Sequence, residues 1–411
     1  MLNSKGQREL CYLVTIDEIK PIDGKDRVEC AVVGGWTIMV KKNQFNPGDV
    51  GIYFEIDSKV PVRPEFEFLS SKHYKIKTQK YGNFYSQGLL MHPDDFGWTT
   101  QIEPLGGVKT EVVIDDEGKA HYIDNDTKFL TEKLGVKYSV ESDNKRKAKS
   151  VDKYQKMAQR VGKKFSKQPY KWLMKRLWGR KLLYVFYGKK SDSRGWPEWV
   201  KKTDEERVEN MAWILENKNP WIATEKIDGT STTFTMKRCK KSLGKEEFLF
   251  LVCSRNVCFD TPERDCYYDT NVYLEMAVKY DIENKMRKMM DDNPDLEWIT
   301  IQGETYGSGV QKNNYGLDEH RLAVFNFITS KEGRWNTERM INYLDTFEIP
   351  CVPLLDNNYI LPDTIEELRE YVHSEKSKIS NKIKEGIVFR DYEGVRSFKC
   401  VDPNYLVKYH E

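Results

Sequence analysis

Cysteine is scarce, with eight in 411 residues and no CxxC pair. That count excludes a disulfide scaffold, and it offers no zinc pattern beyond a CxxxxC pair (Cys253 and Cys258) and a separate Cys266. Reduced intracellular thiols are expected. Long apolar runs are missing too. None reaches the ~18 uncharged residues that a membrane-spanning helix needs. The start, MLNSKGQREL, lacks the apolar segment of a secretory signal. A cytoplasmic location is therefore expected. Net charge is nearly absent: 66 Lys+Arg stand against 64 Asp+Glu, giving +2. That near-balance argues neither for nor against nucleic acid.

What is present is unevenly distributed. At ~150 residues per domain, the length suggests two or three domains. Residues 1–140 alternate short apolar strands with Gly/Pro turns. Arg27-Val-Glu-Cys-Ala-Val-Val33, the Gly34-Gly35 turn and Trp36-Thr-Ile-Met-Val40 predict a hairpin. Val50-Gly-Ile-Tyr-Phe-Glu-Ile56 predicts a further strand, and the whole suggests a small β-barrel. Lys75-Ile-Lys-Thr-Gln-Lys80, followed by Tyr81, Phe84 and Tyr85, has the basic and aromatic mix of a nucleic-acid surface. A solvated strand with core aromatics explains it as well.

Residues 141–202 are a basic, aromatic-rich connector. Between 144 and 202 there are 20 Lys+Arg and three acids. The segment carries +17, which leaves −15 for the rest of a +2 chain. Tyr154, Phe165, Trp172, Trp178 and Trp199 are interleaved with the cations. Cations neutralise phosphates and rings stack on bases, so contact with RNA or DNA is the preferred reading. A plain charged linker, or membrane-surface binding through Trp172-Leu-Met-Lys-Arg-Leu-Trp178, are the alternatives. Residues 203–411 predict a larger α+β domain. A helix is expected over 204–215, with Thr203 as N-cap and Glu206 completing a capping box. Further helices are expected at about 270–290, 337–347 and 364–376. Strands are expected at 248–253, 298–302, 321–328, 385–390 and 396–401.

The chemistry concentrates in this last part. Thr224-Glu-Lys-Ile-Asp-Gly-Thr230 contains KxDG, a weak signal alone. Downstream, in order, come Cys253-Ser-Arg-Asn256, Gln302-Gly-Glu-Thr-Tyr-Gly307, Val324-Phe-Asn-Phe327, Lys384-Glu-Gly-Ile-Val-Phe389 and Ser397-Phe-Lys-Cys400. This ordered series resembles the covalent nucleotidyltransferases: ATP-dependent DNA and RNA ligases and GTP-dependent mRNA capping enzymes. Only twelve residues follow Lys399, and the strand-rich module lies in front. That order is similar to the RNA ligases with an N-terminal OB module. Their pattern is also similar to Glu55-Ile-Asp57, to the Lys75–Gly88 stretch and to Asn404-Tyr-Leu-Val-Lys408.

The resemblance implies an α+β architecture: an OB-like barrel, the connector, and a nucleotidyltransferase domain of antiparallel sheets flanked by helices. It implies an ATP-dependent RNA ligase that seals 3′-OH and 5′-phosphate ends, working through a lysyl-AMP and an RNA-adenylylate, with Mg²⁺ or Mn²⁺. Lys226 would be the nucleophile. A lysine amine is nucleophilic only when deprotonated, and its ordinary pKa is ~10.4, so cations, a metal or desolvation are expected to lower it. Asp228 would orient a metal-bound water, Glu385 would bind the metal, and Lys399 would contact the α-phosphate. The nucleotide-binding set would comprise Glu225, Gly229, Arg255, Glu304, Phe325, Lys399, Lys408 and Arg207. Phe325 and Phe327 share a strand face by spacing, and Phe325 is favoured for stacking on adenine. Many relatives have a second lysine two residues after the first in the last motif, where this chain has Val401. That departure puts the role of Lys408 in question. RNA, as a nick or paired ends, is the implied partner, and a monomer is the default. A DNA ligase or a capping-type enzyme would share the site. A non-catalytic OB-fold binding protein would explain the basic segment but not the ordered Lys226, Glu304, Glu385 and Lys399.

Overall fold

The computed structural model describes residues 1–4, 7–105, 108–139, 170–187, 196–202, 204–240, 246–259, 268 and 270–409. Two compact units emerge. One joins Met1–Ser139 with Trp196–Glu411, and the other is Val140–Gly195. Among the described residues no helix is long and apolar enough to cross a membrane.

The front of the first unit is built from small antiparallel sheets. Strand β1 (Cys11–Thr15) and Leu89–Met91 flank β5 (Val50–Phe54), while β2 (Glu18–Ile22), β3 (Lys25–Val33) and β4 (Trp36–Lys41) form a meander. The expected hairpin is present, with Val33 paired to Trp36 across Gly34-Gly35. Gly34 takes the left-handed φ of +55° that such a tight turn needs. The ladders do not join into one closed barrel among the described residues.

Gly35 marks where the front meets the rest. A Cβ there would lie 2.6 Å from the Glu209 Cα. Gly35 N instead donates to Glu209 O at 2.8 Å. The joint is both polar and apolar. Asn210 Oδ1 accepts from Trp36 Nε1 (2.7 Å) and Tyr12 Oη (3.2 Å), and its Nδ2 donates to Glu55 (3.1 Å) and Glu206 (2.7 Å). Val401 and Leu406 are buried in the same cluster as Tyr12, Trp36, Ile38 and Tyr53. Glu55 is almost fully buried and bonds the N-terminal amine and Arg8.

The back half holds two sheets. The first runs, in order, β6 (Glu206–Arg207), β15 (Ser397–Val401), β14 (Gly386–Asp391), β7 (Trp221–Lys226) and β13 (Leu354–Tyr359). The second runs β10 (Cys258–Phe259), β9 (Glu246–Cys253), β8 (Thr230–Lys240), β11 (Trp298–Gly307), β12 (His320–Thr329) and the short strand Gly333–Arg334. Helices α3 (Val272–Lys279), α4 (Ile282–Asp291) and α5 (Thr337–Asp345) pack their apolar faces into the core of the second sheet. Helix α6 (Ile365–Ser374), capped by Thr364 and Glu367, buries Ile365, Leu368 and Val372 in the core of the first. The separate unit contains α1 (Tyr170–Met174) and α2 (Leu177–Tyr187).

The expected helix over 204–215 is overturned. Glu206–Arg207 pairs in parallel with Phe398–Lys399, and two 3-10 turns follow at Val208–Asn210 and Ala212–Glu216. The segment satisfies its backbone on the sheet edge and buries Val208, Ile214 and Leu215, so tertiary pairing outweighs its helical periodicity. Thr203, the expected cap, lies outside the described residues. The predicted 270–290 helix is two helices, broken at Asp281, whose φ is +50°.

Candidate active site

Strand β7 ends at Lys226, and β8 of the other sheet begins at Thr230. The chain therefore crosses between sheets at Ile227-Asp228-Gly229. Gly229 is required there, because a Cβ would sit 2.4 Å from Thr305 O and 2.9 Å from Glu304 Cγ. The crossing brings four sequence-predicted residues together. Lys226 Nζ pairs with Glu385 Oε2 at 2.7 Å, and Glu304 and Asp228 add their negative charge to the same amine. Burial alone would lower the Lys226 pKa, but these three carboxylates raise it above the ordinary lysine value. Lowering was expected. The acidic surroundings explain the difference, and removing the proton requires that their charge be neutralised. Burial first, then Glu385 and Asp228, push Glu304 up to about 8 despite the opposing Lys226.

Asp228 is held by residues that the motifs did not identify. Its Oδ2 accepts from Asn314 Nδ2 (2.8 Å) and from Tyr405 Oη (2.7 Å), and its backbone N donates to Tyr315 Oη (2.9 Å). Tyr405 lies on α7 (Pro403–Tyr409), inside the Asn404–Lys408 stretch. Asn314 and Tyr315 carry no sequence signal. Lys408 is exposed on the same helix, 5.1 Å over the Tyr409 ring. The helix thus delivers Tyr405 to the cluster in place of Lys408. Glu225 is buried and accepts from Ser377 Oγ (2.6 Å) and Lys378 N (2.8 Å), so its carboxylate is bound on that loop.

A cationic group adjoins the carboxylates. Lys399 is the parallel-ladder partner of Arg207. Arg207 sits on a strand, not the expected helix, and is 5% exposed. Its Nη2 reaches Asp57 at 3.4 Å, while Nε and Nη1 have no hydrogen-bond partner. An orphaned buried guanidinium suits an incoming phosphate. Burial, then Arg8, Arg207 and Lys226, hold Lys399 below the usual lysine range against the opposing Asp204. Arg255 lies on the turn between β9 and β10. Asp204, also missed by the motifs, bonds both Lys399 and Arg255.

Phe325 and Phe327 are separated by a β-bulge. Gly303 pairs with Val324 and Gln302 with Asn326, which leaves Phe325 as the extra residue. Phe327 is core, 4.7 Å from the Trp335 ring. Phe325 is half-buried beside Ile227, Tyr306 and Tyr315. The expected shared face is therefore absent, and the bulge favours Phe325 for the ring-stacking role.

The donor set fits a hard divalent cation. Glu385, Asp228 and Glu304 offer oxygens, and among the described residues no three His/Cys/Asp/Glu side chains form a ready-made cage. Such an ion completes its shell with phosphates and water, as Mg²⁺ commonly does.

A front module of short strands fixed to a two-sheet domain, with a lysine among carboxylates and a neighbouring cationic wall, defines a nucleotidyltransferase of the ligase type. Residues 10–93 match the family model of an OB-fold domain, and residues 219–410 match that of RNA ligase. Residues 219–410 are thus an RNA ligase domain, preceded by an OB-fold domain. Solved structures of Naegleria gruberi RNA ligase share the fold. A mutant with ATP and Mn superposes with a TM-score of 0.68 at 22% identity, over 98% of this chain and 100% of that one. The enzyme with PPi gives 0.67 at 24%, over 98% and 99%. A mutant with AMP and Mn gives 0.66 at 24%, also over 98% and 99%. No curated protein matches the chain significantly.

Proposed function

We propose that the chain uses ATP to seal RNA 3′-OH and 5′-phosphate ends, nicks above all. The observation that carries this reading is the 2.7 Å Lys226–Glu385 pair, set beside Glu304 and Asp228 and next to Lys399. The ATP, AMP, Mn and PPi of the Naegleria structures support the choice of nucleotide and metal.

Lys226 Nζ attacks the α-phosphorus of ATP. A P–N bond forms, the bond to the β-phosphate oxygen breaks, and pyrophosphate leaves. The resulting AMP passes to the 5′-phosphate of RNA, and a 3′-OH then attacks that phosphate and expels AMP. Before attack, Glu385 Oε2 holds the proton on Lys226 Nζ. Glu385 and Asp228 would hold a divalent ion, which would supply positive charge at the phosphate; Glu385 Oε2, 2.7 Å from Lys226 Nζ, takes the lysine proton. Lys399 and Arg207 neutralise the transferring phosphates, Glu304 accepts from the ribose hydroxyls, and Phe325 stacks on adenine. Positioning and charge neutralisation are the main demands of this chemistry.

RNA engagement is supported by the +17 segment. Within its described part, Trp172 and Trp178 are exposed with rings 5.7 Å apart, and Arg176 stands 3.9 Å over Trp172. Exposed rings beside cations form a stacking platform for bases. A DNA-sealing or GTP-dependent activity is the alternative; the front position of the OB-fold domain argues against the first, and labelling by GTP in place of ATP would mark the second.

The test is covalent labelling by ATP carrying label at the α-phosphate, with Mg²⁺ or Mn²⁺. Wild type should be labelled and Lys226→Ala should not, and wild type should join nicked RNA. Absence of labelling, in protein not already adenylylated, would overturn the reading.

A further inference from the structure

Asp204 sits where two phosphate-binding groups converge. Its Oδ1 is 3.0 Å from Lys399 Nζ, and its Oδ2 is 2.8 Å from Arg255 Nη2. Each oxygen serves one cation, which is how a phosphate would bridge the same pair. The placement is built, not incidental. Before Asp204 the chain is tied down three times: Trp199 Nε1 to Thr235 Oγ1 (3.0 Å), Gln302 Nε2 to Lys201 O (2.8 Å), and Lys202 Nζ to Asn256 Oδ1 (2.9 Å). After it, Glu205 is held by Arg390 (2.8 Å) and Ser397. Asp204 is thus fixed between two anchored stretches. Around Lys399 stand the charges of Arg8, Arg207 and Lys226, and Asp204 is the acid bonded to it.

We propose that Asp204 is an internal competitor for phosphate: its carboxylate holds the position between Lys399 and Arg255 that a substrate phosphate takes, so phosphate binds by displacing it. The inference rests on the ligase reading above. A phosphate offers oxygens to both cations at once, with one negative charge on the α-phosphate of ATP and up to two on an RNA 5′-phosphate, against the single charge of Asp204. Asp204 thereby sets a threshold for entry. Apparent affinity is the intrinsic affinity multiplied by the fraction of time in which Asp204 is released. Two substrates carry the required group, ATP and an RNA 5′-phosphate.

The experiment measures equilibrium binding in a Lys226→Ala background, so that no transfer occurs. ATP with Mg²⁺ is one arm. The other compares 5′-phosphorylated with 5′-hydroxyl RNA. Asp204→Asn keeps the shape and removes the charge. It should tighten binding about tenfold at low salt, with the gain shrinking as salt screens the half-exposed Arg255 pair. Tightening for ATP identifies the nucleotide as the displacing ligand. Tightening confined to 5′-phosphorylated RNA identifies the RNA end. Asp204→Ser repeats the test with a smaller side chain, and far-UV circular dichroism reports folding of both variants. Unchanged or weaker binding in folded variants overturns the proposal and makes Asp204 a support for Lys399. If wild type takes covalent label while Asp204→Asn binds no tighter, this inference fails alone. If neither protein binds ATP or takes label, both readings fall.

Discussion

Tyr405 and Asp228 are 177 residues apart in sequence, and the tyrosine hydroxyl donates to Asp228 Oδ2 at 2.7 Å. Burial, and then the Asp228 charge, keep that hydroxyl protonated by pushing its pKa far up. Asp228 therefore faces the site with one oxygen fixed by Tyr405 and Asn314. Tyr405→Phe should slow lysine adenylylation about tenfold, the value of one hydrogen bond to a charged group. Melting temperature should stay within a few degrees of wild type. Single-turnover labelling and a thermal melt on the same sample check both.

The bulge separates the two phenylalanines by function. Phe327→Ala empties a core position and should cost ~3–5 kcal/mol in urea unfolding. Phe325→Ala should leave stability nearly unchanged and weaken ATP binding several-fold. The reverse pattern would move the adenine slot to Phe327.

Glu304 gives stability a pH signature. Its folded pKa is raised from 4.5 to about 8, so its contribution is full below 4.5 and is lost as pH rises through 8. Wild-type melting temperature should fall by several degrees more than that of Glu304→Gln between pH 5 and 9. Parallel melts across that range would show it.

Glu55 acts in the opposite direction. The N-terminal amine and Arg8 outweigh its burial and lower it to about 2. Its stabilisation is present above 4.5 and lost as pH falls toward 2. Acid unfolding of wild type should track this loss, and Glu55→Gln should be weaker at pH 7 with a shallower acid limb.

Asn210 joins Trp36, Tyr12, Glu55 and Glu206 through one side chain. Asn210→Ala leaves the buried Trp36 Nε1 without its acceptor and should cost about 2–3 kcal/mol. Chemical denaturation measures it.

Where local chemistry decides the structure, the sequence was readable. The Gly34-Gly35 hairpin, the helix expected at 364–376 and the Lys226, Glu304, Glu385 and Lys399 series all follow from residue types at fixed spacing. Long-range pairing hid the rest. Residues 204–215 carry helical periodicity, yet the edge beside Ser397–Val401 takes Glu206–Arg207 as a strand. The bulge at Phe325 depends on register with Gln302 and Gly303, which strict alternation cannot reveal. Asp204, Asn314 and Tyr315 act through positions that only the folded chain assembles.

Val401 and Leu406 share a buried cluster with Tyr12, Trp36 and Tyr53. On the ribosome, the front module is made more than 250 residues before these two partners. Its core stays unfinished throughout that interval and closes only once the final helix has emerged. The front strands then await Val401 and Leu406 during synthesis, with apolar surface exposed, and the front module completes its folding together with the domain behind it.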